Sequence, residues 1–151
     1  MQLLVIAVGR LRVGPLKALE REYAERIRWP LAIHEVEERR KLPPAQMKAR
    51  EGALLLAALP RDAVAVALDE AGAALSSAGL AARLASWRDC DAEVAFLIGG
   101  ADGLDAAVRA RAEMALSLGP MTWPHLLVRG MLLEQLYRAQ QILAGHPYHR
   151  A

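Results

Sequence analysis

A single cysteine, Cys90, is present. No intrachain disulfide can form, a reducing compartment is expected, and Cys90 is read as a packing residue beside a helix end rather than a nucleophile. There is no cysteine pair and no His-Glu-x-x-His to hold zinc. Also missing are Gly-x-Ser-x-Gly, Gly-x-Gly-x-x-Gly and Gly-Lys-[Ser/Thr]. Their absence argues against a serine hydrolase elbow, a dinucleotide fingerprint and a P-loop. No apolar run approaches the roughly 20 residues of a membrane helix, and no basic stretch precedes the short apolar run at 3–8, so neither a membrane span nor a signal peptide is expected. Internal repeats, low-complexity tracts and interdomain linkers are lacking as well. The net charge of +2 permits a polyanionic partner without requiring one.

What is present fits one soluble, cytoplasmic domain over residues 1–151, with 54% hydrophobic residues to build its core. Residues 3–8 are a continuous apolar run, the pattern of a strand buried on both faces, and 63–68 and 93–98 are the third and fourth strands. Residues 31–37 alternate as a half-exposed strand does, and 114–118 is a short fifth strand. Helices are predicted over 15–29, from Pro43-Pro44 to 59, from a Ser76 or Ser77 cap to 88, over 105–111, and over 125–144. Strands alternating with helices give an α/β fold, a mostly parallel sheet with helices on both faces.

In such sheets, ligands bind beyond the carboxyl ends of the strands. Three segments rich in Gly or Pro are expected there: 68–72, 98–103 and 118–125. Gly99-Gly100-x-x-Gly103 fits a ligand-binding loop or merely a tight turn. The tail His146-Pro147-Tyr148-His149-Arg150 concentrates two imidazoles, a phenol and a guanidinium. Imidazole exchanges protons near neutral pH, arginine grips phosphate and tyrosine stacks on bases. A fraying terminus or a cloning remnant is the alternative, though tags seldom carry Pro-Tyr between histidines.

Val8-Gly9-Arg10-Leu11-Arg12, Leu97-Ile98-Gly99-Gly100-x-x-Gly103, Leu116-Ser117-x-x-x-Met121-Thr122-x-Pro124-His125, Glu134-Gln135-x-Tyr137-Arg138-Ala139 and Tyr148-His149-Arg150 occur in this order. Together they resemble the ribosomal RNA large-subunit methyltransferase H family, minimal SPOUT methyltransferases, along the whole chain. The resemblance implies a C-terminal trefoil knot, an exception to the unknotted rule. It implies S-adenosylmethionine as cofactor, held by Leu68, Gly99, Leu118, Gly119, Pro120, Met121, Thr122 and Trp123, and no metal. It implies a homodimer whose tail reaches the partner's cofactor. The implied substrate is ribosomal RNA in the assembled ribosome, methylated on N3 of a pseudouridine.

Under that resemblance His149 is the expected proton acceptor or ring-orienting group. Tyr148 holds or stacks on the base, and Arg150 neutralises phosphate or developing charge. Arg138 and His125 are second candidates, although Arg138 equally fits an ion pair with Glu134. The chain departs from the family at Gly72-Ala73, Ala101-Asp102 and Gly119-Pro120, which leaves the loop contacts open. Two basic clusters, Arg10/Arg12/Lys17 and Arg39/Arg40/Lys41/Lys48/Arg50, fit RNA phosphates or simply a solvated face. The rival readings are a SPOUT enzyme acting on transfer RNA and a non-catalytic ribosome-binding factor.

Overall fold

A computed structural model describes residues 1–150; Ala151, the last residue of the domain expected over 1–151, lies outside the described residues. The strands are β1 (Gln2–Val8), β2 (Leu31–Val36), β3 (Val64–Ala73), β4 (Glu93–Ile98) and β5 (Met114–Leu116). The helices are α1 (Pro15–Arg26), α2 (Pro44–Ala58), α3 (Ser77–Asp89), α4 (Ala106–Arg111) and α5 (His125–Leu143). All strand pairs are parallel, in the order β2-β1-β4-β3-β5.

The apolar runs are explained by two cores. From β1, Leu3, Val5 and Ala7 point to one face while Leu4, Ile6 and Val8 point to the other. From β4, Val94, Phe96 and Ile98 oppose Ala95 and Leu97 in the same way. A central parallel strand has no solvent face, so the period of two leaves no polar trace in its sequence. Helices α1, α3 and α5 cover the first face with residues such as Tyr23, Leu84 and Leu132, and α2 and α4 cover the second with Leu55 and Val108. Crossovers running one way along the sheet use the first face and those running back use the second. All four therefore share one hand, as parallel crossovers do.

Local chemistry sets the boundaries. Pro15 and Pro44 open α1 and α2, where the missing N–H costs nothing. Ser76 caps α3, its Oγ accepting the Gly79 amide at 3.0 Å. Helix α1 ends at Arg26, earlier than the predicted residue 29, because Ile27 turns extended ahead of Pro30.

The largest difference from expectation is β3. It continues to Ala73 with a register break against β5 between Leu68 and Ala73, so 69–72 is irregular strand and not a turn. Gly72 serves this pairing and not a ligand: a Cβ there would lie 2.6 Å from the Ala115 carbonyl carbon. In the described residues no helix is long and apolar enough to cross a membrane.

Candidate active site

At the carboxyl edge of the sheet, the ends of β3, β4 and β5 meet around a cleft of about 640 Å³. Its floor is apolar, from Leu68, Ile98, Leu116 and Leu118, and its rim carries Asp69, Glu70 and Asp102. Leu68, Gly99, Leu118, Gly119, Met121, Thr122 and Trp123 all line it; Pro120 belongs to the same loop but does not.

Each wall is fixed by a specific bond. Ser117 Oγ donates to the Glu70 carbonyl at 3.0 Å and accepts the Gly119 amide at 3.0 Å, which ties the loop after β5 to the end of β3. Thr122 Oγ1 donates to Glu70 Oε2 at 3.0 Å, and Trp123 Nε1 donates to the Leu118 carbonyl at 3.3 Å. Arg109 pairs with Asp69 at 2.6 Å. Gly99 is required by crowding, since a Cβ would sit 2.9 Å from the Gly103 carbonyl oxygen.

The electrostatics favour a cation. Three carboxylates face the cleft, and its one guanidinium, Arg109, is held by Asp69. His125 adds no positive charge: burial foremost, then Arg129, pushes its imidazole below the usual range, so it stays neutral. The wall has the sign and size for a compact cationic organic molecule with an apolar ring.

His125 opens α5, and its position is set from beneath. Arg129, one turn on, is 1% exposed. Its Nη1 donates to Glu35 Oε2 at 2.6 Å and lies 3.5 Å from Glu20 Oε2. Its Nη2 donates to the Gly9 carbonyl at 2.6 Å. A Cβ on Gly9 would meet Leu126 Cδ2 at 3.3 Å and His125 Nε2 at 3.4 Å. The turn after β1 and the first turn of α5 are thereby locked together. Sequence reading missed Arg129, Glu20 and Glu35, because nothing in their spacing marks them as partners 109 and 94 residues apart.

The tail lies elsewhere. It folds back on the last turns of α5, where Tyr148 Oη donates to Glu134 Oε1 at 3.1 Å. The Tyr148 ring meets Tyr137 edge-on at 4.8 Å, and the Arg138 guanidinium sits over it at 4.9 Å. Arg138 also pairs with Glu134 at 2.5 Å, and its Nη1 lies 3.3 Å from His149 Nδ1. Burial first, then Tyr23 and Glu134, pushes the Tyr148 phenol up to about 12. In this arrangement it is a hydrogen-bond donor and not a base. From His125 to Arg138, α5 rises about 20 Å at 1.5 Å per residue. None of residues 146–150 lines the cleft of this chain.

Between them, α1, α3 and α5 leave a second groove of about 670 Å³, lined by Leu19, Tyr23, Leu80, Met131 and Gln135. It shares Leu116, Leu118 and Gly119 with the cleft. Of the basic clusters, Arg40 and Arg50 are bound by Glu38, whose carboxyl they hold down at about 2. Arg10 and Arg39 each approach Glu37 at 3.8 Å.

Residues 1–149 match the family model described as "Predicted SPOUT methyltransferase". The ribosomal RNA large subunit methyltransferase H of Rhodospirillum centenum is 59% identical over 152 residues, covering 100% of both chains. That of Rhodospirillum rubrum is 57% identical over 152 residues, again covering 100% of both. Among solved structures, the SpoU methyltransferase AviRb from Streptomyces viridochromogenes, in complex with AdoMet, superposes with a TM-score of 0.51 at 16% identity. The superposition covers 93% of this chain and 58% of that one, and it supports the fold. With strand order, cleft and full-length similarity agreeing, the chain belongs to the SPOUT methyltransferases, in the ribosomal RNA large subunit methyltransferase H family.

Proposed function

We propose that this chain is one SPOUT methyltransferase domain that transfers a methyl group from S-adenosylmethionine to N3 of a pseudouridine in large-subunit ribosomal RNA. The carrying observation is the acid-rimmed cleft at the strand ends, into which seven of the eight expected cofactor residues project. Its apolar floor suits an adenine, and its unneutralised carboxylates suit a sulfonium.

When bound, that cofactor supplies a methyl group already activated for attack, so no metal is needed. The chain's task is to position a ring nitrogen in line and remove its weakly acidic proton. His149 accepts that proton or orients the ring, Arg150 neutralises phosphate or developing charge, and Tyr148 packs on the base. Because Tyr148 and His149 are held on α5 and do not line the cleft of their own chain, they serve the cleft of a second copy. The groove between α1, α3 and α5 adjoins the cleft through Leu118 and Gly119 and is where that copy docks. The acid rim repels phosphate, so the RNA backbone is met elsewhere, with Arg12 and Lys41 among the cations outside the Glu37 and Glu38 pairs. This reading retains the homodimer, the C-terminal knot, the cytoplasmic location and the assembled ribosome as substrate.

Mass spectrometry of large-subunit ribosomal RNA from cells with and without the active protein tests the reading. One methylated pseudouridine is expected to disappear; an unchanged RNA, or transfer of label from the cofactor to bulk transfer RNA in place of ribosomes, overturns it. A second test concerns the floor of the cleft. Gly99→Ala is expected to weaken S-adenosylhomocysteine binding by at least about tenfold in calorimetric titration, since the new Cβ displaces the Gly103 carbonyl. Unchanged affinity places the cofactor elsewhere.

A further inference from the structure

Glu51 lies in the middle of α2, on the face of the sheet away from α5. It is 9% exposed, and its Oε1 has no hydrogen-bond partner among the described residues. Such a carboxyl is costly to bury, and a hydrocarbon of the same shape fills the space at no such cost. Its position is specific. A Cβ on Gly100 would lie 2.7 Å from Glu51 Oε2 and 3.0 Å from Oε1, so the carboxyl occupies the space under the glycine loop that a side chain would take. The next residue reinforces the contact: a Cβ on Gly52 would lie 2.8 Å from Cβ of Asp105, where α4 begins. Helix α2 is thus pressed against both ends of the 99–105 segment, with Glu51 beneath one end and Gly52 beneath the other.

The groups facing this carboxyl are acidic. Asp102 stands on the same loop and Asp105 beside Gly52, while β1 contributes the apolar Val8. Burial foremost, then the charge of Asp102, raises the Glu51 carboxyl above the ordinary carboxylate range. The uncharged acid can rest against Gly100. The charged form is both desolvated and repelled by the loop it supports.

We propose that Glu51 is a positioning residue for the cofactor cleft: its carboxyl, filling the space beneath Gly100, holds the Gly99–Gly103 loop at the height at which its backbone lines the cleft. The proposal rests on the cleft being the cofactor site. Ionisation of Glu51 drives its oxygens toward water and away from Gly100. The loop then loses its support, so cofactor affinity falls as the pH rises through the titration of this group.

The test is calorimetric titration of the full-length protein with S-adenosylhomocysteine at a pH just below the ordinary carboxylate range and at about pH 8, so that the raised Glu51 carboxyl is protonated at the first and ionised at the second. The wild type is expected to bind several-fold more weakly at the higher pH. Glu51→Gln, which keeps the shape and cannot ionise, is expected to bind at both values as the wild type does at the lower one. Glu51→Ala, which empties the space, is expected to bind about tenfold more weakly at both. His125 is present in all three proteins, so the reading rests on the difference between the wild type and Glu51→Gln. The proposal is overturned if Glu51→Ala binds like the wild type. It is equally overturned if Glu51→Gln shows the wild-type pH dependence, a readout that survives even if Glu51→Ala fails to fold. Failure of the wild type to bind at either pH overturns the cofactor assignment of the cleft instead.

Discussion

Deleting Tyr148-His149-Arg150 together with Ala151 is expected to reduce methyl transfer to ribosomes by at least about 100-fold, the contribution of a positioned proton-transfer group. Binding of S-adenosylhomocysteine should stay at the wild-type level, because no residue of the tail lines the cleft of its own chain. The informative version mixes two impaired proteins at a cofactor concentration too low to load the Gly99→Ala cleft. The tail-deleted chain keeps an intact cleft, and Gly99→Ala keeps an intact tail. If the tail of one copy completes the cleft of the other, half of the randomly exchanged dimers are mixed and half of their sites are whole. Activity then returns to about one quarter of wild type. If no activity returns after exchange, the tail serves its own subunit's cleft, and α5 must rearrange for it to do so.

Single substitutions refine the assignment. Tyr148→Phe loses the hydrogen bond to Glu134 but keeps the ring contact with Tyr137 and the stack under Arg138. It should therefore lose less activity than His149→Ala. The phenol, pushed up to about 12, is not available as a base, and the proposed proton acceptor is accordingly His149.

The largest effect on stability is expected at Arg129. Arg129→Met removes the cation between Glu20 and Glu35 and frees the Gly9 carbonyl. Breaking a buried pair by removing one partner costs about 3–5 kcal/mol, a fall in Tm on the order of 10 °C for a domain of this size. The pH dependence gives a second signature. In the wild type, burial pushes the Glu35 carboxyl up, but the Arg129 guanidinium and the Leu11 amide more than offset it and hold it below its usual range. A depressed carboxyl contributes stability above its unfolded pKa and loses it as pH falls through the folded value. In Arg129→Met the largest group holding Glu35 down is gone while its burial remains, so this acid-range contribution to stability is reduced or reversed. Thermal melts across that range distinguish the two. A variant that melts within about 2 °C of wild type would show that Arg129 is dispensable.

The consequence reaches the site. Arg129 joins the end of β1 to the first turn of α5, the turn that places His125 in the cleft wall. Loss of that joint should therefore weaken cofactor binding even under conditions where the variant is folded.

Much of this was legible in the sequence, for identifiable reasons. Period-two burial on both faces leaves an uninterrupted apolar run, so 3–8 could be read as a strand buried on both faces, and the apolar stretches at 63–68 and 93–98 could be read as strands. Prolines at 15 and 44 and the serine at 76 mark helix starts by local chemistry. The residues ringing the cleft were found because strand ends and glycines coincide with motifs of a family. Read as motifs, however, Gly72 and Gly99 look alike. One proves to face the backbone of β5 and the other the Gly103 carbonyl at the cleft. Sequence pattern records that a side chain is missing and not what occupies its place.

The sequence by itself determined the order and type of the elements, the parallel sheet, the three segments at its carboxyl edge and the chemistry of the tail, because each is written in local composition and periodicity. Only the tertiary structure decided the rest. It paired Arg129 with Glu20 and Glu35, set Glu51 under Gly100 and carried β3 past its expected end. It also placed the tail on α5, outside the lining of the cleft it had been read with. These are contacts between residues far apart in the chain, and their energies depend on desolvation and distance, which no local pattern encodes.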